Sequence, residues 1–474
     1  MPVGPFDRRK KRSRCLQCAA GHLKCSGSFP CSNCQRKRTS CSFEKQKSQQ
    51  IWINHAESDK KGTTRVAFPL PNVQISRPMV IAPSTSETHY LPRYFDVFLH
   101  RNNFNPGSKV SIDVTTLMKD QGSDSFLHNA VLGLGAMQAV KFNSSEGITP
   151  NTANDSAVYY YSKSVTGLRQ ALYNFNHEES ALHSILWTTH LLGLFELMTD
   201  ATGQGWVQHL VGGTSKALVA AGPTVCLTGR GKRFFTEIRI FEVCRAIIFN
   251  EPTFLANSEW RLLTAGMQPD AQGDDHGLNA LLDIITLCST LRVRVRTLLY
   301  SSKTQCYGKS QRNVSNAYDI ALEGFRLRQA LVDWEASMTR PEQLKAVSGD
   351  TTAVSFFFLA KAFFSATSIY LSGVFDYEIP HWQEMGIIAP TLSEDEIQGH
   401  VTGILTHTRE IMINSSISPL LTLFPLRVAG ARSWETWQQE SIMESLSAIE
   451  KSFPVAASFR ADLQVVWSLR GLLA

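Results

Sequence analysis

Six cysteines between residues 15 and 41 form the part of the sequence whose spacing is best suited to chemistry. They follow the pattern C-x2-C-x6-C-x5-C-x2-C-x6-C, in which a CxxC pair followed by a third cysteine occurs twice. Thiolates at CxxC spacing can turn toward one metal ion, and four of them complete the tetrahedral shell of structural zinc. The pattern therefore predicts a metal centre built from Cys15, Cys18, Cys25, Cys31, Cys34 and Cys41.

Counting ligands sets the expected number of metal ions. Two tetrahedral zinc ions need eight bonds to sulfur, and six thiolates supply eight only when two of them bridge both ions. A single zinc ion would leave two cysteines without a role, so we expect two. Zinc held by four thiolates has no open position for substrate, so the expected site is structural. So short a segment cannot bury a stable core, and zinc binding would supply its folding energy.

Positive charge is concentrated around these cysteines. Residues 1–48 contain twelve Lys and Arg against two acidic residues, whereas the remainder of the chain is mildly acidic and the whole carries +6. A small basic segment indicates a polyanionic partner, with nucleic acid the first candidate. A basic run near the N-terminus resembles a nuclear localisation signal, although a solvated basic arm is the alternative. This run consists of Arg8, Arg9, Lys10, Lys11 and Arg12.

The composition is that of a soluble globular protein, with 43% hydrophobic and 19% charged residues. No secretory signal and no uninterrupted apolar run of about eighteen residues occurs, so we expect neither secretion nor a membrane span. The expected compartment is the nucleus or cytosol, where disulfides are rare. The cysteines outside the cluster are expected to be core or surface thiols; they are Cys226, Cys244, Cys288 and Cys306.

The segment from Arg8 to about Lys45 resembles the fungal zinc-cluster (Zn2Cys6) DNA-binding domain. The resemblance rests on the six-cysteine spacing, on the basic run before it, on Lys24 before the third cysteine and on Pro30 before the fourth. It implies two short helices, one after each CxxC. It also implies that the C-terminal end of the first helix enters the major groove of double-stranded DNA, typically over a CGG triplet.

The resemblance also implies a division of the thiolates between the two zinc ions. Cys15 and Cys31 would bridge both ions. Cys18 and Cys25 would complete one zinc, and Cys34 and Cys41 would complete the other.

The segment between the second and third cysteines departs from the family pattern. The family usually has a basic run there, whereas this chain has Ala19-Ala20-Gly21-His22 and retains only Lys24 as a cation. Neighbouring cations can supply affinity through phosphate contacts that carry no sequence information. Two hypotheses stay open. The cluster binds DNA through changed base-contacting residues, or it keeps the zinc-bound fold and binds DNA more weakly. The DNA-binding residues expected are Gly21, His22, Lys24, Arg12, Arg14, Arg36, Lys37 and Arg38.

The rest of the chain favours helices. Residues 49–88 are rich in Pro, Ser and Thr and lack a sustained heptad, which predicts a linker without a dimerising coiled coil. From residue 89 to 474, apolar residues recur at helical spacing, so the fold class expected is mainly α: a small zinc cluster at residues 1–48 and a large all-helical regulatory domain. Later helices are predicted near 234–250, 276–300, 315–337, 353–374, 393–414 and 433–452.

Three local signals predict where helices begin or end. Asp155 is a candidate N-cap, Gly222-Pro223 a helix stop, and Ser393 with Glu396 a capping box. Residues 89–222 also resemble, more loosely, the regulatory domain that follows many fungal zinc clusters. Within them Glu196, Trp206 and His209 fall on family-like positions, where we expect core packing for the tryptophan and helix-face or capping roles for the other two.

No phosphate-binding loop, nucleophile elbow, dinucleotide fingerprint or zinc-protease motif occurs, so we do not expect an enzyme. His183 and His190 share a helical face, but core histidines are a simpler interpretation than a metal pair. The sequence therefore indicates a nuclear, zinc-dependent transcription regulator that binds DNA and contacts the transcription machinery. The resemblance makes an activator of a metabolic or biosynthetic gene cluster the expected type.

Overall fold

The computed structural model describes residues 32–37, 89–122, 124–142, 149–173, 179–267, 277–303, 310–340 and 351–471. The chain divides into two compact units, residues 1–65 and 66–474. In the first unit the description covers one helix, α1 (Ser32–Lys37). The metal and DNA predictions for residues outside 32–37, together with Cys306, lie outside the described residues.

The second unit is built from α-helices, which confirms the mainly α prediction. Its first half contains α2 (Leu91–Arg101), α3 (Val110–Gln121), α4 (Phe126–Phe142), α5 (Pro150–Tyr173), α6 (Glu179–Thr199), α7 (Gln204–Val207), α8 (Lys216–Ala221), α9 (Gly229–Phe249) and α10 (Ser258–Gly266). Its second half contains α11 (Leu278–Lys303), α12 (Ser310–Met338), α13 (Thr351–Asp376), α14 (Ile379–Glu384), α15 (Glu394–Asn414), α16 (Leu423–Arg432), α17 (Thr436–Glu450) and α18 (Ala456–Gly471).

Shorter helical pieces join some of these elements. A π-helical segment, Gln208–Ser215, connects α7 to α8, and 3₁₀ turns cover Pro223–Cys226, Phe254–Ala256 and Pro419–Thr422. Within the described residues, β pairing is limited to an isolated bridge between Asn103 and Ile417.

Two helices that are apolar on nearly every side form the centres of the two halves. Helix α6 is buried along most of its length and packs against α4, α5 and the π-helical segment. Helix α13 is equally apolar and packs against α11, α12, α15 and α16. By length and composition α13 is the one described helix able to cross a membrane, but 72% of its most apolar window is buried inside the protein. Its hydropathy is thus that of a core helix.

The first three long helices pack closely because α4 carries small residues. A Cβ atom at Gly135 would lie 2.2 Å from the Leu91 carbonyl oxygen, so glycine is required where α2 crosses α4. The far end of the chain returns to this region: the Asn103 amide donates to Ser416 O (2.9 Å) and the Ser418 amide to Asn103 O (3.0 Å). These bonds tie residues more than 300 positions apart into one unit.

Most predicted helices and two of three predicted ends are confirmed. Ser393 caps α15 with a full capping box to Glu396, and α8 ends at Gly222, whose φ is +80°. The prediction for Asp155 is wrong because α5 already begins at Pro150. The Thr149 hydroxyl accepts from the Thr152 amide (3.3 Å), and proline fits the first helical turn because its missing N–H would be unpaired there. The N-cap therefore lies six residues before the predicted one, at Thr149 instead of Asp155.

A buried ionic network joins α9 to the turn that follows it. Arg245 donates to Glu242 through Nε (3.0 Å) and Nη2 (2.8 Å) and to Glu251 through Nη1 (2.8 Å). Thr253 (2.8 Å) and Ser215 (3.1 Å) donate to the two oxygens of Glu242. The side chains of Arg245 and Glu242 are 4% and 1% exposed, so each charge depends on this pairing.

We predict that Arg245→Met destabilises the protein by about 3–5 kcal/mol, because Glu242 would stay buried without its cation. The matched control is Arg230→Met, whose pair with Asp120 is 3.8 Å long and partly exposed, and whose loss should cost no more than about 1 kcal/mol. Urea denaturation of the full chain measures both. Equal costs for the two variants would show that the buried network adds no stability.

Candidate metal centre and polar clusters of the body

Helix α1 positions part of the predicted metal and DNA site. It begins at Ser32, inside the second CxxC, instead of after it as the resemblance implied. This start places Cys34 in the first turn, where its side chain is buried, while Arg36 and Lys37 at the last turn are exposed. A buried thiol two residues from exposed cations fits a zinc ligand, because nearby cations offset the negative charge of a thiolate-rich cluster.

Of the other site residues predicted from sequence, the structure describes none. The first CxxC, Cys25, Cys31, Cys41 and the residues Gly21, His22 and Lys24 lie outside the described residues, as do Arg12, Arg14, Arg38 and the basic run before them. Cys34, Arg36 and Lys37 are the three that the structure places, and it places them on one short helix with the thiol and the cations in different environments.

The cysteines described in the body are core residues, as predicted. Cys226, Cys244 and Cys288 are buried among apolar helices. Burial raises the pKa of the Cys226 thiol to about 12 and raises the pKa values of Cys244 and Cys288 as well. Such thiols stay protonated and unreactive at neutral pH.

The two histidines on α6 are also core residues. His183 and His190 are buried, and His190 packs its ring edgewise on Trp187, Phe234 and Phe241. Burial lowers the pKa of His190 to about 3, so its imidazole is neutral at pH 7. Among the described residues no group of three or more His, Cys, Asp or Glu could hold a metal ion. The histidine pair is thus explained by packing.

A polar cluster anchors the π-helical segment to α5 and α6. The Tyr161 hydroxyl donates to Glu196 Oε1, and it lies 3.2 Å from Nε2 of His209. Because the hydroxyl proton is used on the carboxylate, His209 Nε2 is assigned the N–H that donates to the tyrosine oxygen. Burial lowers the pKa of His209 to about 4, which agrees with a neutral ring. Burial also raises the pKa of Glu196, an effect that the tyrosine bond opposes.

The local sequence explains how α7 reaches this cluster. A Cβ atom at Gly205 would lie 2.4 Å from Glu196 Oε2, so any larger residue there would displace this carboxylate from its position. Trp206 is half-buried against Gly193 of α6, so it packs at the edge of the body and not in the core as predicted. The sequence singled out Glu196, Trp206 and His209 but missed Tyr161. No spacing rule connects Tyr161 with Glu196, 35 positions later, or with His209, 48 positions later.

The comparisons with known proteins agree with the two-unit organisation. Residues 87–472 match the fungal specific transcription factor domain, and residues 14–50 match the fungal Zn(2)-Cys(6) binuclear cluster domain. The first match covers most of the chain, so the protein belongs to the fungal-specific transcription factor family. The cluster domain binds two zinc ions, which confirms the predicted cofactor and stoichiometry. No curated protein and no solved structure matches the chain.

We predict that Tyr161→Phe destabilises the body by about 1–3 kcal/mol, because the phenol is the donor to a half-buried carboxylate and the acceptor for His209. Tyr173→Phe is the control, since Tyr173 is almost fully exposed. Thermal and urea denaturation of both variants would test this. If the two midpoints moved equally, the cluster would not be holding the π-helical segment in place.

Glu237 generates a separate, pH-dependent prediction. It lies on the buried side of α9, and burial raises its pKa to about 7, an effect that a hydrogen bond from Ser108 partly opposes. Between the unfolded pKa of about 4.5 and this folded value, the unfolded chain loses its proton first. Stability from this group is therefore present below about pH 4.5 and is lost as the pH rises to 7.

We accordingly expect Glu237→Gln to gain stability relative to the native chain as the pH rises from 5 to 8, by about 2 kcal/mol or more. Glu259→Gln, which removes an exposed carboxylate on α10, is the matched control. The free energy of unfolding from urea titrations at both pH values measures this. A difference for Glu237→Gln that did not change with pH would mean that the carboxyl ionises normally.

Proposed function

We propose that the protein is a sequence-specific DNA-binding transcription regulator whose zinc cluster docks in the major groove. The observation that carries the proposal is the arrangement of α1 within a segment that matches the binuclear cluster domain. Cys34, one of the predicted zinc ligands, is buried, while Arg36 and Lys37 on the same helix are exposed. In this proposal zinc is structural, and the chain acts by binding and not by catalysis.

The proposed DNA contacts fall into two groups. Arg12, Arg14, Arg36, Lys37 and Arg38 would bind phosphates, which gives affinity and orientation without reading sequence. Base recognition would come from Lys24 and from the Gly21-His22 region, where backbone carbonyls can accept from cytosine and a neutral imidazole can donate to guanine. A CGG-type site is compatible with this arrangement of donors and acceptors.

The domain boundaries and cellular role form the rest of the proposal. Residues 1–48 would be the DNA-binding unit, residues 49–88 the linker and residues 89–474 the regulatory domain. The run from Arg8 to Arg12 would direct the protein to the nucleus. The helical body would receive a signal or contact the transcription machinery, and activation of a metabolic or biosynthetic gene cluster is the role that the family relationship favours.

A second function is favoured by one feature of the sequence. Ala19-Ala20-Gly21-His22 stand where the family usually has cations, and losing two or three phosphate contacts lowers the salt slope by about two to three units. The cluster would then keep its zinc-bound fold with a weakened hold on DNA, and the protein would act through protein or ligand contacts of its body.

DNA titrations of the full zinc-loaded chain distinguish the two proposed functions. We predict two zinc ions per chain and an affinity for CGG-containing duplexes that exceeds that for scrambled duplexes. Arg36→Gln/Lys37→Gln should keep both zinc ions, weaken binding about equally for all duplexes, and reduce the slope of log affinity against log salt by about two. Metal analysis and fluorescence anisotropy at several salt concentrations provide these quantities.

Arg261→Gln/Lys451→Gln removes two exposed cations from the body and serves as the matched control, which should bind DNA like the native chain. Two bound zinc ions with weak binding that does not distinguish the duplexes would exclude the leading proposal. That outcome would leave the body as the functional surface.

A further inference from the structure

Helix α12 has two apolar faces, and the protein core accounts for one of them. The inner face packs on α11 and α13, and the indole N–H of Trp334 donates to the Gly277 carbonyl (2.8 Å). Gly324 lies so close to Phe375 that a Cβ atom there would be 2.6 Å from the ring. The remaining inner residues are buried; they are Ala317, Ile320, Ala321, Leu327, Leu331 and Met338.

The outer face of α12 carries a stripe of large apolar residues in contact with solvent. Tyr318, Leu322, Phe325 and Val332 are 62%, 39%, 42% and 51% exposed. Their spacing of four, three and seven residues is that of a heptad seam, in which Gln329 fills the remaining position. The outer face of a surface helix is normally polar, and a continuous exposed apolar stripe marks an interaction surface.

Charged residues beside the stripe indicate what pairs with it. One edge carries Asp319, Arg326 and Asp333, which are exposed and alternate in sign every seven residues. The opposite edge is occupied by contacts within the body. There Arg328 donates to the Thr391 carbonyl (2.7 Å) and lies 3.1 Å from Glu396. On the alternating edge, Arg326 lies 3.7 Å from Glu323 and Asp333 accepts from Gln329 (2.9 Å). Both contacts lie within α12 itself, so this edge is the one open to a partner helix.

An alternating edge of this kind is complementary to itself. When two identical helices pair antiparallel, the same edge of each helix faces the other, so Asp319 of one copy can lie beside Arg326 of the second copy. The same register packs Leu322 on Phe325 of the second copy, with both contacts occurring twice about a twofold axis. The centre of this register falls at the middle of α12, so the helices overlap along almost their whole length of about 44 Å.

From this seam and its charge pattern we propose that the protein forms a homodimer through antiparallel pairing of α12 with α12 of a second copy. The proposal does not depend on DNA binding. It assigns dimerisation to the helical body, whereas the linker at residues 49–88 has no heptad that could provide it.

The first test removes the apolar centre of the seam. Leu322→Glu/Phe325→Glu places four carboxylates at the dimer axis, and we expect the dissociation constant to rise by at least about a hundredfold. Ile112→Glu/Leu262→Glu is the matched control, because both residues are more exposed than the seam residues and lie on other helices. Sedimentation velocity of the full zinc-loaded chain over a range of concentrations should give a dimer for native and control proteins and a monomer for the seam variant.

The second test uses charge reversal to ask whether the partner is a second copy. Asp319→Arg alone and Arg326→Asp alone each put like charges together twice, which should weaken the dimer about tenfold. Mixing the two variants should produce a heterodimer with the native dissociation constant, and the double variant Asp319→Arg/Arg326→Asp should form the native-strength homodimer again. Rescue on mixing requires pairing between chains.

Three outcomes would overturn the proposal. The native chain could remain a monomer at all concentrations, or its dimer could be insensitive to the seam variant. The seam variant could instead lower the melting temperature of a monomeric chain while the control does not. That last result would mean that a segment of the same chain covers the stripe.

Discussion

Burial of α6 and α13 along most of their length is the constraint on which the rest of the body depends. Neither helix has a polar face to turn toward water, so each must be surrounded by other helices. Outer helices such as α2 and α15 are amphipathic, with one side buried in the body and the other facing solvent. Close glycine contacts, as at Gly135, then let neighbouring helices pack without a gap.

Helix α9 differs from α6 and α13 because it buries charged side chains as well as apolar ones. Arg245 and Glu242 are fully paired, and their network fixes the turn in which Asn250 adopts a left-handed conformation with φ +52°. The Tyr370 hydroxyl of α13 donates to Asn250 Oδ1 (2.8 Å), so this turn also contacts the second half of the body. Buried polar groups thus set the orientation of α9, which apolar packing alone would leave less specific.

The sequence predicts the body's helices well because apolar residues at a period of 3.6 identify a buried helical face wherever the helix lies. Details that depend on distant residues could not be predicted in this way. The start of α5 was missed because a Thr-Pro pair begins the helix in a polar stretch. The π-helical segment contacts a residue far away in the sequence, since His209 lies 3.2 Å from Tyr161 on α5. For the metal centre, cysteine spacing predicted a cluster of two zinc ions, which the family match confirms, whereas the individual ligands stay a prediction. No comparable spacing rule predicts which bases the changed segment after Cys18 would contact.

The two units are stabilised by different forces, and this difference explains why one chain can combine them. The cysteine-rich unit is too small and too basic to fold by apolar burial, so metal–thiolate bonds must hold it. The described part of the body is held by apolar burial, because its core of aromatic and aliphatic residues is extensive. Removing zinc should therefore unfold the first unit and leave the second intact. A surface on the body, such as the exposed stripe of α12, can then keep its geometry whether or not the zinc cluster is bound to a polyanion.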